Sequence, residues 1–160
     1  MTFEGIISKI SEQFGEESFT ELENCTPQGI EVKASDLKGI MTFLHDTEGL
    51  YFDSLSCLSG LDNEPDANSM EVVYNLYSIP YNQHFTVKVS LDREKPIVPS
   101  VESIWKTADW QEREAYDMFG IIFEGHPDLR RILLPADWEG FPLRKDYKHQ
   151  EYYRGIKVEY

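Results

Sequence analysis

Cysteine, basic charge and long apolar runs are all scarce in this 160-residue chain, and each shortage excludes a class of function. Its two cysteines, Cys25 and Cys57, form no CxxC pair. The four thiolates that usually hold an iron–sulfur cluster are therefore missing, and a reducing, cytosolic compartment is expected. The four histidines (His45, His84, His126, His149) make neither an HxxxH nor an HExxH pair, so no zinc-ligand spacing is present. There is no GxGxxG after a strand and no GxxxxGK[ST], so no backbone cradle for nucleotide phosphates. The apolar runs are stubs such as Ile121–Phe123 and Ile132–Leu134, far short of the roughly 18–20 residues that cross a bilayer. The first 17 residues have no basic n-region and no arginine-rich pattern, so no leader is expected. With 15 Lys+Arg against 29 Asp+Glu, the net charge of −14 disfavours nucleic acid and anionic lipid as partners.

What the chain does have is a globular composition, 41% hydrophobic and 13% aromatic, at a length that suits one domain. The charge is uneven. Residues 1–71 hold 15 acids and 3 bases, whereas from Gly125 onward 7 bases face 6 acids. Such asymmetry steers partners to one side of a molecule, although a solvated acidic face explains the N-terminal part equally well.

Phe3, Ile6, Ile7, Ile10 and Phe14 follow helical spacing up to Gly15. Short strands are expected at Ser18–Glu23 and Gly29–Val32, with a turn over Asn24–Gln28. Ser35 is positioned to cap a second helix that buries Leu37, Ile40, Met41 and Leu44 and closes at Gly49. Three strand candidates follow: Tyr51–Leu58, Met70–Ile79 and His84–Leu91, with a loop over Asp62–Ser69 that includes Pro65. The last strand alternates cleanly, with Phe85, Val87, Val89 and Leu91 on one side. Pro80–Gln83 suits a hairpin turn. The fold class is therefore α+β: two layers, helices packed on a mixed or antiparallel sheet.

Pro96 and Pro99 interrupt the chain, and Ser100 is placed to cap a short turn at Val101–Lys106. Asp109 with Glu112 three residues on marks a helix start, and Gly120 a stop. Ala115, Met118 and Phe119 form its apolar stripe, and Arg113 and Asp117 are spaced to pair. Beyond Phe123 no periodicity survives. Pro127, Pro135 and Pro142 punctuate a segment rich in Trp138, Phe141, Tyr147, Tyr152, Tyr153 and Tyr160. The expected organisation is a globular part, 1–124, and an irregular extended C-terminal arm, 125–160. Aromatics and arginines in such an arm need a surface to cover, their own domain's or a partner's.

Catalytic sites are hard to assemble from this material. Glu112 and Glu114 point to different sides of a helix, and Arg113 is expected to hold neighbouring acids ionised, so an ion-pair network is favoured over acid–base catalysis. His126 beside Asp128 reads as a turn, and Cys25 and Cys57 read as small buried hydrophobes. Arg130-Arg131 and Arg144-Lys145 lack a glycine-rich helix entry for phosphate, which makes carboxylates their better targets.

Three strings stand out in order. They are Asp109 to Ile121 (DWQEREAYDMFGI), Gly125 to Pro135 (GHPDLRRILLP) and Asp137 to Tyr147 (DWEGFPLRKDY). Together they closely resemble the NuoC-type (30 kDa) subunit of respiratory complex I, the proton-translocating NADH:quinone oxidoreductase. The residues that carry the likeness are Glu112, Arg113, Glu114, Asp117 and Gly120, then Gly125, His126, Pro127, Arg130 and Arg131, then Trp138, Gly140, Pro142, Leu143, Arg144, Lys145, Asp146 and Tyr147. The resemblance is near-complete over 100–147; the first hundred residues match only in length and layout.

The resemblance implies a structural subunit of the complex's peripheral arm. It carries no catalytic, cofactor or metal residue of its own and docks on the NuoD-type subunit that helps form the quinone cavity. FMN and iron–sulfur clusters reside on other subunits. The implied location is the cytoplasmic side of the cell's inner membrane, peripheral and without direct insertion. Two alternatives stand beside it. One is the homologous subunit of a photosynthetic-type NDH, an F420-type dehydrogenase or a membrane hydrogenase. The other, of a different class, is a small standalone enzyme using Glu114, Asp117 and His126. The residues also carry two expectations about the arm. From about Asp146 onward it is protease-sensitive in the isolated chain, and one or more of its arginines, with Arg130 or Arg144 the best placed, pair with the acids of the Glu112–Asp117 helix or with acids of the partner.

Overall fold

A computed structural model of the chain describes residues 2–158 apart from Asn24 and Pro65. The first residue of the expected Asn24–Gln28 turn, Pro65 of the Asp62–Ser69 loop, and Tyr160 lie outside the described residues.

Helix α1 (Phe3–Phe14) starts where Thr2 Oγ1 accepts the Gly5 N–H at 3.3 Å, and its deepest side chains are Ile6 and Ile10. Strand β1 (Phe19–Glu21) leads to β2 (Gly29–Val32), which runs straight into α2 (Ala34–Asp46). Ser35 does not cap α2. The N-cap position is Lys33, whose carbonyl accepts the N–H groups of Asp36 and Leu37, so the chain turns before the serine is reached. Nor does Gly49 close it: the helix ends at Asp46, and Gly49 takes φ +87° in the turn beyond. The buried stripe is the expected Leu37, Ile40, Met41 and Leu44.

Strands β3 (Ser54–Asp62), β4 (Ser69–Ser78) and β5 (Gln83–Asp92) form the meander. The sheet order is β1-β2-β5-β4-β3, antiparallel except where β2 runs parallel to β5. Strand β3 lies several residues later than its expected Tyr51–Leu58. A bulge explains its weak periodicity: Leu55 faces Leu76 and Cys57 faces Asn75, leaving Ser56 extra. Leu55 and Leu58 thus both point inward, while Cys57 is exposed and Cys25 half-exposed, so neither cysteine is the buried hydrophobe expected.

One sheet face carries the core: Met70, Val72, Tyr74 and Leu76 from β4 meet Phe85, Val87, Val89 and Leu91 from β5 and the buried faces of α1 and α2. The other face holds a charged ladder in which Lys88 Nζ sits 3.0 Å from Glu31 and 3.2 Å from Glu71. Both carboxylates raise the Lys88 pKa against the opposing pull of its partial burial. Helices on one face and polar residues on the other make the two-layer α+β arrangement that the pattern implied.

The interrupted segment after β5 is a β–α–β unit. Strand β6 (Ile97–Pro99) pairs in parallel with β7 (Ile122–Glu124), and α3 (Ala108–Phe119) connects them along the β3 edge. Prolines are tolerated because they fall at the ends of β6, where Pro96 contributes only its carbonyl to Ile122. After β7 the chain crosses back over α3 without regular structure. It ends in a two-residue hairpin, β8 (Tyr152–Tyr153) with β9 (Ile156–Lys157). That hairpin escaped the pattern because its turn is Arg154-Gly155, both at positive φ (48° and 79°), where an Asn or Asp first residue is the usual signal. Among the described residues no helix is long and apolar enough to cross a membrane.

Candidate functional site

Helix α3 is the axis on which the three signature strings meet. Its C-terminal turn ends at Gly120 in the left-handed region (φ +75°), as its sequence implied. A Cβ there would lie 2.6 Å from the Phe141 ring, so glycine is needed both for the backbone angle and for the arm to seat against the helix.

One turn earlier, Asp117 is buried. Its Oδ2 accepts the backbone N–H groups of Ile132, Leu133 and Leu134 at 3.0, 2.7 and 2.9 Å. Its Oδ1 is 2.7 Å from Arg131, whose guanidinium also donates to the carbonyls of Asp117, Trp138 and Gly140. Burial acts to raise this carboxyl's pKa. The three amides and the guanidinium outweigh it and hold Asp117 below the ordinary carboxylate range. The expected Arg113–Asp117 pair is therefore not made. Arg113 instead donates to the carbonyls of Arg130 and Arg131. A lone helix ion pair is worth only about 0.3–0.5 kcal/mol, whereas a buried carboxylate needs several donors, and the returning arm supplies four.

At the other end of α3, Glu112 is fully buried and does not form the expected capping box with Asp109. The helix begins at Ala108, and the Glu112 carboxyl turns inward to accept Ser100 Oγ–H at 2.6 Å and the Val101 N–H at 2.8 Å. Burial pushes it up to about 7, against those hydrogen bonds. Arg113 does not hold it ionised, because Arg113 is spent on the arm's carbonyls. Ser100 does cap its turn, with Oγ accepting the Glu102 N–H at 3.2 Å. The His126 ring is fully buried. Its Nδ1 accepts the Asp128 N–H at 3.0 Å, so Nε2 carries the proton and donates to the Asp109 carbonyl at 3.1 Å. The turn reading of His126 and Asp128 thus holds, and the ring additionally anchors the arm to the start of α3.

The third string folds onto the same framework. Phe141 lies against Gly120, with the guanidinium carbons of Arg131 and Arg144 at 5.2 and 5.0 Å from its ring centroid. Arg144 Nε donates to the Phe119 carbonyl at 2.6 Å, and the Leu143 N–H to the Met118 carbonyl at 3.1 Å. Gly140 leaves room for the Tyr147 ring, whose hydroxyl accepts from Trp138 Nε1 at 3.1 Å. Asp62 and Arg93, at one end of the sheet, form a buried ion pair that grips the arm. The Lys145 N–H donates to Asp62 Oδ2 at 2.8 Å, and Arg93 reaches Asp146 at 2.7 Å.

The structure therefore joins Glu112, Asp117, Gly120, His126, Arg131, Trp138, Gly140, Arg144, Asp146 and Tyr147 into one α3–arm assembly. It leaves Glu114 exposed, pairs Arg130 with Asp128 at the surface (2.8 Å), and puts Gly125 and Pro127 in an exposed turn. The basic partner of the helix acids is Arg131, not Arg130 or Arg144. Pro142 is half-buried, and Lys145 contributes its backbone. Sequence reasoning missed Asp62, Arg93 and the Glu112 partner Ser100. Only adjacency at a sheet end reveals the first two, since Asp62 faces Met70, and Met70 faces Leu91. Among the described residues no hydrogen bond or ion pair joins Glu114, Asp117 and His126 to one another, and no group of three or more His, Cys, Asp or Glu is placed to hold a metal. Large apolar side chains of the same strings face outward: Trp110 is 69%, Leu133 63% and Leu143 53% exposed.

Residues 30–153 match the model of the respiratory-chain NADH dehydrogenase 30 kDa subunit family. The C subunit of NADH-quinone oxidoreductase from Chlorobium phaeobacteroides is 49% identical over 94% of this chain and 92% of its own length. Its counterpart from Chloroherpeton thalassium is also 49% identical over 94% of this chain, which spans only 63% of that relative. Among solved structures, a trypsin-resistant fragment (1–134) of Nqo5 superimposes with TM-score 0.64 at 30% identity, over 78% of this chain and 99% of that one. A chain of an archaeal membrane-bound sulfane sulfur reductase gives TM-score 0.74 over 91% of this chain and 85% of that one; at 24% identity this is a likeness of fold alone.

Proposed function

The chain belongs to the respiratory-chain NADH dehydrogenase 30 kDa subunit family, and from that premise we propose that it is a cofactor-free structural subunit of a proton-pumping NADH:quinone oxidoreductase. It docks on the NuoD-type quinone-site subunit in the peripheral arm, on the cytoplasmic side of the membrane. FMN, the iron–sulfur clusters and quinone chemistry lie on other subunits.

One observation carries this reading. Buried polar groups of the shared strings fix the arm to α3, Asp117 with Arg131 and three amides foremost, while Trp110, Leu133 and Leu143 from those strings stand in solvent. A pre-organised scaffold presenting apolar anchors suits protein contact, because little ordering entropy remains to be lost on docking. The experiment is a deletion and complementation in the native cell. Membranes lacking the chain should lose NADH:quinone activity and regain it with the wild-type gene, and the purified chain should catalyse no such transfer. Full activity in membranes lacking the chain would overturn the reading.

A further inference from the structure

Four arginines lie in the arm, and three of them hold a carboxylate: Arg130 with Asp128, Arg131 with Asp117, and Arg154 with Asp137. Arg144 does not. Its Nε is committed to the Phe119 carbonyl, and among the described residues its two terminal nitrogens have no hydrogen-bond acceptor and no carboxylate within ion-pair distance. The side chain is half-buried and lines an open cavity of about 360 Å³ whose walls include Phe141, Tyr147 and Gly140, with Glu139, Asp146 and Lys148 around it.

We propose that this cavity receives a single Asp or Glu side chain of a partner subunit, gripped by the free fork of Arg144. The inference rests on the docking role argued above and names the chemistry of one contact within it. A guanidinium held over an aromatic ring, its carbon 5.0 Å from the centroid and its Nε already bonded, has little freedom left to turn. Its two remaining nitrogens are pre-organised for bidentate capture of a carboxylate. The charge is also under-compensated. Burial and the neighbouring Arg93 lower the Arg144 pKa, and the opposing pull of Asp146 and Asp62 does not restore it. Bringing in one more carboxylate removes that deficit.

The same surroundings select against phosphate. Glu139 and Asp146 line the cavity, and the whole chain carries −14. A dianionic phosphate or an anionic lipid surface meets more repulsion there than one carboxylate does.

The test uses the tagged full-length chain expressed in its native cell, purified with the complex in mild detergent. Arg144→Gln should recover at least about tenfold less of the other complex subunits than wild type, identified by mass spectrometry, with Arg144→Lys in between. Melting of the isolated Arg144→Gln chain within a few degrees of wild type separates lost docking from lost folding. Zero-length carbodiimide coupling of the Arg144→Lys complex should add an amide link from position 144 to an Asp or Glu of another subunit. Undiminished recovery with Arg144→Gln, or coupling at position 144 only to Glu139 or Asp146 of the same chain, would overturn the inference. So would Arg144-dependent binding of inorganic phosphate or of phosphatidylglycerol vesicles by the wild-type chain. If the wild-type chain recovers no complex subunits, the docking role itself fails, a distinct result.

Discussion

Replacing Asp117 by Asn keeps the shape and removes the charge at the centre of the α3–arm assembly. The wild-type carboxylate satisfies three amides and one guanidinium at 2.7–3.0 Å, with Asp117 fully buried and Arg131 13% exposed. Asparagine offers one acceptor oxygen where two are used, and its NH₂ must face either Arg131 or the Ile132–Leu134 amides. Breaking one side of such a buried pair costs on the order of 3–5 kcal/mol, a large share of the roughly 5–15 kcal/mol that holds a domain together. The damage should be local first, because every lost bond joins α3 to the arm. Denaturant titration should show the loss, and limited trypsin should cut after Arg130 and Arg131 faster than in wild type, where Arg113 and Asp117 tie down that backbone. The pH dependence follows from the lowered pKa. The stabilisation is present in full above the ordinary unfolded value near 4, and it is lost as pH falls through the lower folded value. The gap between wild type and Asp117→Asn should therefore close in acid. A variant within about 0.5 kcal/mol of wild type at neutral pH, with no new cleavage, would refute the reasoning.

Glu112 predicts the opposite sign. Its carboxyl is pushed up to about 7, so the folded state binds the proton more tightly, and stability falls as pH rises from the unfolded value near 4.5 to about 7. Glu112→Gln mimics the protonated acid, its oxygen accepting from Val101 N–H and its NH₂ donating to Ser100 Oγ, which reverses the direction of that bond. It should match wild type near pH 4.5 and exceed it above pH 7 in thermal melts; equal pH profiles for the two proteins would contradict the assignment. Gly120→Ala forces a side chain into the left-handed region and 2.6 Å from Phe141, so it should cost about 1–2 kcal/mol or more and expose the Arg144 bond to trypsin. An unchanged melting temperature would remove Gly120 from the account.

How much of this was legible depends on the range of the interaction. Spacing along α1, the Phe85–Leu91 alternation and the Gly120 stop are set by neighbours within a few residues, and the structure repeats them. The bulge at Ser56 scrambled the β3 pattern, so Cys57 was misplaced indoors. Ser35 and Asp109 carried sound capping chemistry, but helices α2 and α3 begin one residue earlier than each, because the preceding strand and turn dictate the entry. The partner of Asp117 was beyond local reasoning: the near neighbour Arg113 lost to Arg131, 14 positions on, because burial demands more donors than one helix face supplies. The Asp62–Arg93–Asp146 tie spans 53 positions from Arg93 to Asp146 and left no pattern to read.

The measurement that bears most directly on the central claim is the composition of what the tagged chain brings out of native membranes in mild detergent, quantified by mass spectrometry. Near-equimolar recovery of the quinone-site subunit and the rest of the peripheral arm is expected, with NADH:quinone activity in the same fraction. A monodisperse chain recovered without those subunits would contradict it.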